Sequence, residues 1–135
     1  MGGALVHGWC KAGLASQLTI TARSQCTLDR FLGLYPQLTA TTDNVLAVTG
    51  ADIVFIAVKP WLVDEVMDQI KLPLRASNAL VVSVAAGVRN ARINVYAMPN
   101  IAVEYGAGMT LIEELDRPSV LIDEEVRLFP LVGKV

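Results

Sequence analysis

Residues 53–60 read Ile53-Val54-Phe55-Ile56-Ala57-Val58-Lys59-Pro60. An unbroken apolar run rich in β-branched side chains fits a strand covered on both faces, the usual state of a strand in a parallel sheet. It is the longest clean apolar run in the chain, and it falls far short of the roughly 18–20 residues that a membrane span needs. Lys59-Pro60 ends the strand and opens a helix, because proline in a first turn loses no hydrogen bond and presets φ. Trp61, Leu62, Glu65, Val66, Gln69 and Ile70 continue that helix, which is expected to stop before Pro73. A buried strand running directly into a helix is the repeating unit of an α/β domain.

The same alternation continues outward. Towards the N-terminus, residues 38–41 form a short strand, Asp43 caps a helix through Val48, and Gly50 closes it. Residues 18–22 alternate as a strand, and residues 26–34 form a helix with Leu28, Phe31 and Leu32 on one face. The chain opens on a helix that runs from Met1 to Gly13. Towards the C-terminus, strands are expected at 79–84, 93–97 and 109–112, with a loop over 100–108 and a helix over 123–129 ended by Pro130. Strands alternating with short helices predict an α/β fold, a mostly parallel sheet with flanking helices. One connection does not fit: 85–92 is shorter than the dozen or so residues a parallel crossover takes. Either a segment has been lost there, or 93–97 pairs antiparallel or leaves the sheet.

Composition narrows the function. The 135 residues suit one domain. Eleven Lys+Arg against thirteen Asp+Glu give a net charge of −2, which argues against a nucleic-acid surface. Hydrophobic residues make up 53%, enough to exclude disorder as the main state. Cys10, Cys26 and a single histidine, His7, do not make a zinc set, and two reduced thiols are expected. His7 is expected on the exposed face of the first helix, where no nucleophile–base pair forms around it. The six acids between Glu113 and Glu125 read as a solvated face rather than paired carboxylates. No basic segment precedes an apolar one at the start, so the expected location is the cytoplasm, with no membrane partner.

In parallel sheets, ligands sit at the carboxyl ends of the strands, and four such ends carry distinctive residues. After the first strand comes Ala22-Arg23-Ser24: an arginine beside a hydroxyl suits a 2′-phosphate, where an acid would suit a free ribose, and a solvated loop cation is the alternative. Lys59 stands at a strand end beside a helix start, within reach of a phosphate or carboxylate, or is a surface lysine. Ser83-Val84-Ala85-Ala86-Gly87 offers small residues to a flat ring, or is a tight turn. Met98-Pro99-Asn100 is a pocket wall or a proline turn.

In order along the chain, these pieces resemble the pyrroline-5-carboxylate reductase family. The matching stretches are MGGALVHGWCKAGL (1–14), TARS (21–24), TTDNVLAVTGADIVFIAVKPWLVDEV (41–66), LVVSVAAGV (80–88), AMPNIAVEYGAGMT (97–110) and LFPLVGKV (128–135). The resemblance implies a Rossmann-like domain that binds NADPH, or less often NADH, and passes a hydride to the C=N carbon of 1-pyrroline-5-carboxylate to give L-proline. It implies that Gly2 is the last glycine of a G-x-G-x-x-G turn, that Arg23 and Ser24 meet the 2′-phosphate, and that Asn44 lies on the cofactor side. It places Ala57, Val58, Lys59 and Pro60 near the nicotinamide ribose, Ala86 and Gly87 beside the nicotinamide, and Pro99 and Asn100 near the substrate. No catalytic residue and no metal is implied; the cofactor carries the chemistry.

The sequence departs from the family in three places. It starts inside the glycine motif, with the first strand missing. The helix expected between 84 and 93 is lacking, as is the arginine before MPN, where Val95-Tyr96-Ala97 stands. It ends where the family continues into a helical domain that carries dimerisation and much of the substrate pocket. The expectation is therefore an incomplete NADP-binding domain over 1–135, with the C-terminal helical dimerisation domain absent and little turnover by the isolated chain. Homo-oligomerisation and small-molecule substrate binding are features of the whole family enzyme. Two other readings stand beside this one: another NADP-linked dehydrogenase of small acids, and a non-catalytic α/β module.

Overall fold

The computed structural model describes residues 1–114 and 127–134. The helices are α1 (Gly2–Lys11), α2 (Gln25–Leu34), α3 (Asn44–Val48), α4 (Val63–Gln69) and α5 (Lys71–Ser77). The strands are β1 (Thr19–Thr21), β2 (Thr39–Thr41), β3 (Ile53–Ile56), β4 (Leu80–Ser83), β5 (Val95–Pro99), β6 (Gly108–Glu114) and β7 (Gly133–Lys134). Short 3-10 turns occupy Ala15–Gln17, Pro60–Leu62 and Ile101–Tyr105. The helix expected over 123–129 lies outside the described residues except at its end, where Arg127 and Leu128 are helical.

Strands β1 and β2 form a parallel pair, and β3-β4-β5-β6-β7 form a second sheet in that order. Within it β3, β4 and β5 are parallel, β6 runs antiparallel to β5, and β7 is parallel to β6. The mostly parallel α/β architecture is the one the sequence predicts.

Strand β3 is covered on both faces, as expected of its apolar run. Ile53 and Phe55 pack on a cluster built from Leu5, Trp9, Val82 and Phe129. Val54 and Ile56 pack on Val63, Met67 and Ile70 of the α4 side. The strand is shorter than its apolar run, because Ile56↔Ser83 is its last pair with β4. Helix α1 lies on the first face: the Trp9 indole N–H donates to the Leu128 carbonyl at 3.0 Å, and its ring sits 4.7 Å from that of Phe55.

The helix that follows Pro60 stops before Pro73, as expected, but a second helix begins at once and Pro73 lies inside it. Helix α4 stops at Gln69, and α5 carries Pro73 in its first turn, where the missing N–H is one that a helix leaves without an internal acceptor. Asn78, at φ 54°, closes α5 in the left-handed region.

Of the alternatives for the short connection, the two that take β5 out of parallel pairing do not hold. Strand β5 is neither antiparallel to β4 nor outside the sheet; it pairs in parallel, over Val82↔Val95 and Ser83↔Tyr96 alone. That offset register is what lets so short a chain cross over. Strand β5 begins opposite the third residue of β4, so residues 84–94 need not return along the whole strand. Asn94 then extends the ladder by one step: its N–H donates to the Val81 carbonyl, and its Oδ1 accepts from the Val81 N–H, both at 2.8 Å.

Asp43 caps α3 as predicted, its Oδ1 accepting from the amides of Val45 at 2.8 Å and Leu46 at 3.1 Å. Asp43→Ala leaves both amides to water, and urea denaturation is expected to show a loss of about 1 kcal/mol.

Candidate functional site

The predicted residues stand at the carboxyl ends of the parallel strands and at the start of α1. Gly2 opens α1, whose cap residue Met1 supplies no side-chain hydrogen bond. The first-turn amides of this ten-residue helix therefore point outward without an internal acceptor, beside the positive end of the helix dipole. The start of α1 is held against the segment after β3: a Cβ added at Gly2 would lie 2.9 Å from the Ala57 Cβ. Only glycine permits this approach, and a cradle for a phosphate at a helix start needs it. Gly2 and Ala57 are thus brought into contact across 54 intervening positions that the sequence alone does not join.

Arg23 and Ser24 follow β1; both are exposed, and Ser24 immediately precedes α2 at its cap position. Ala57 and Lys59 are exposed beyond β3, with Val58 and Pro60 partly covered. Ala86 and Gly87 are exposed beyond β4, and Gly87 takes φ +74°, a left-handed turn that a side chain would strain. Pro99 ends β5.

Two predicted residues are already engaged within the protein. The Asn44 Nδ2 donates to Gln69 Oε1 on α4 at 2.9 Å. The Asn100 Oδ1 caps the turn Ile101–Tyr105, accepting from the Ala102 amide at 3.2 Å and the Met109 amide at 3.4 Å. Asn44 ties two helices together, and Asn100 shapes the loop beside Pro99.

The chemistry of this edge suits a phosphate-rich, flat-ringed ligand. It presents unpaired amides at a helix start, an exposed arginine beside a hydroxyl, and small residues at Gly2, Ala57, Ala86 and Gly87. Among the described residues no group of three His, Cys, Asp or Glu is placed to hold a metal. No described helix is long and apolar enough to cross a membrane. A separate hollow of about 260 Å³, lined by Thr49, Gly50, Pro73, Ala76 and Ser77, includes none of the predicted site residues.

His7 is not on an exposed face. It is half-buried between α1 and α2, its ring 4.8 Å from that of Phe31, and its Nδ1 shares a 3.0 Å hydrogen bond with the Tyr35 hydroxyl. The apolar flank of the imidazole is used for packing, a role that helical periodicity alone did not disclose. Burial pushes the nearby Cys10 thiol and the Tyr35 hydroxyl up from their ordinary ranges, with the Cys10 and Glu104 charges adding to the latter.

Cys10 is buried and Cys26 exposed. A thiol reagent at neutral pH is therefore expected to modify Cys26 at once, and Cys10 only after denaturant is added; mass spectrometry of the labelled peptides checks this.

Sequence reading missed a group of side chains around 84–94. Arg89, Asn90 and Arg92 reach Glu113, Asp64 and Asp68. Each of these partners is at least 24 positions away, so no local spacing could have shown them.

Comparison with known proteins identifies the family and the fold. Residues 1–87 match the family model described as NADP oxidoreductase, coenzyme F420-dependent. A pyrroline-5-carboxylate reductase of Vibrio alginolyticus is 33% identical over 123 residues, covering 79% of this chain and 42% of the relative. One from Methanosarcina acetivorans is 36% identical over 115 residues, covering 76% of this chain and 41% of the relative. The chain thus spans less than half the length of these curated relatives. The structure of a pyrroline-5-carboxylate reductase from Coxiella burnetii superimposes with a TM-score of 0.89 at 28% identity, over 99% of this chain and 53% of that one. A Plasmodium falciparum pyrroline carboxylate reductase, crystallised with NADP bound, shares the fold at a TM-score of 0.82 and 23% identity, over 99% of this chain and 52% of that one. By sequence and by fold, the chain belongs to the NADP oxidoreductase, coenzyme F420-dependent, family, and its relatives there are pyrroline-5-carboxylate reductases.

Proposed function

We propose that residues 1–135 are the cofactor-binding part of an enzyme that reduces 1-pyrroline-5-carboxylate to L-proline with NADPH. The observation that carries this is the uncapped start of α1 held against Ala57 at the carboxyl end of β3. In this reading the α1 amides take the pyrophosphate, and Arg23 with Ser24 takes the 2′-phosphate. Ala57, Val58, Lys59 and Pro60 border the nicotinamide ribose, with Asn44 on the cofactor side. Ala86 and Gly87 lie beside the nicotinamide ring, and Pro99 and Asn100 border the substrate. The cofactor supplies the hydride; the chain binds and orients it. Assembly into a homo-oligomer belongs to the helical domain that the family adds, and the cytoplasm suits two reduced thiols.

Fluorescence titration with NADPH and NADH tests the reading. Saturable binding, tighter for NADPH, is the expected result, and absence of saturable binding would leave a non-catalytic α/β module. Loss of NADPH absorbance with 1-pyrroline-5-carboxylate, and none with a small 2-keto acid, would separate this substrate from those of the acid dehydrogenases.

A further inference from the structure

A parallel crossover ordinarily passes through a helix, whose hydrogen bonds and buried face hold the turn that follows the first strand. Residues 84–94 contain no helix, so the Ala86–Gly87 turn must be held otherwise. The chain after that turn is pinned at successive side chains. Arg89 Nη2 donates to both carboxylate oxygens of Glu113 on β6, at 2.8 and 2.9 Å. The same guanidinium lies over the Tyr96 ring of β5, 4.9 Å from its centre. The Tyr96 hydroxyl accepts from the Asn90 amide at 2.8 Å, while Asn90 Nδ2 donates to Asp64 Oδ1 on α4 at 2.8 Å. Arg92 pairs with Asp68 at 3.0 Å, and Ile93 is buried beneath.

Arg89 is the pin nearest the turn, two positions beyond Gly87. Tyr96 and Glu113 are cross-strand partners, so Arg89 spans one rung of the sheet and fixes the loop to two strands at once. An exposed ion pair is weak alone, but here the cation–π contact with Tyr96 adds to it.

We propose that Arg89 is a positioning residue for the nicotinamide-side turn: through Glu113 and Tyr96 it holds Ala86–Gly87 in place of a crossover helix. The inference rests on the NADPH reading above and predicts a loss confined to the nicotinamide half of the ligand. The adenosine half meets α1 and Arg23, at the ends of other elements.

The test compares the full chain with Arg89→Met and Arg89→Lys, using NADPH and adenosine 2′,5′-bisphosphate as separate probes. Arg89→Met is expected to weaken NADPH about fivefold and leave adenosine 2′,5′-bisphosphate unchanged. Arg89→Lys, which keeps a charge for Glu113 but not the guanidinium over Tyr96, is expected to recover part of the loss. Amide hydrogen exchange, measured without ligand, should speed up in Arg89→Met at Ala85 and Asn90, the hydrogen-bonded amides on either side of the turn, and stay unchanged in α2. Unchanged NADPH affinity and exchange, or equal losses for both probes, would overturn the proposal. Failure of the unsubstituted chain to bind either probe would overturn the cofactor reading itself, while the exchange measurement would still report whether Arg89 holds the turn.

Discussion

Arg23→Glu is expected to abolish any preference for NADPH over NADH. A 2′-phosphate that meets a guanidinium gains a charge-assisted hydrogen bond of roughly 1.5–3 kcal/mol, so removing the arginine weakens NADPH about 10- to 100-fold. The glutamate adds repulsion towards the phosphate and offers acceptors to a free ribose, so NADH is expected to be unaffected or bound more tightly. Arg23 is exposed, and folding should not change, which thermal denaturation would verify. Paired titrations with the two nucleotides give the result. An unchanged NADPH:NADH ratio would show that Arg23 is a solvated loop cation.

The second large effect concerns packing. Gly8→Ala is expected to destabilise the protein by about 3 kcal/mol, the upper part of the range for overpacking a well-filled core. A Cβ at Gly8 would run into the Val103 carbonyl oxygen and come within 2.7 Å of Val132 Cγ1. Both neighbours are fully buried, and one obstacle is backbone, so neither can move cheaply. Gly3→Ala on the same helix is the control. Its Cβ would stand 3.5 Å from the Phe31 ring, an ordinary contact. That change is expected to be neutral or to stabilise by up to about 0.5 kcal/mol through helix propensity. Urea denaturation of the two variants tests the contrast, and equal effects would show that α1 does not pack on residues 101–105 as described.

What was legible in the sequence was carried by local signals. The apolar run 53–58 announced a strand covered on both faces, because burial on two sides demands apolar residues without alternation. Asp43 announced its helix, because a carboxylate two and three residues before free amides has an immediate partner there. The candidate site was legible as a set of strand ends, because parallel strands direct the residues that follow them to the same side. What was not legible depended on distance. Nothing around Pro73 says whether it ends one helix or starts the next; the break at Ile70 decides it. The crossover was misjudged because loop length sets reach only when the register is known, and the offset of β5 shortened the return. His7, Arg89 and Asn90 take their roles from Tyr35, Glu113 and Asp64, which no spacing rule connects to them.

The central claim is that the carboxyl edge of the parallel strands, with the start of α1, binds a dinucleotide. Backbone amide chemical-shift mapping during titration with NADP⁺ tests it most directly. Saturable shifts are predicted at Gly2 and Gly3, at Arg23 and Ser24, at Ala57 and Lys59, and at Ala86 and Gly87. Shifts confined to the hollow formed by Thr49, Gly50, Ala76 and Ser77, or no saturable shift at any amide, would contradict it.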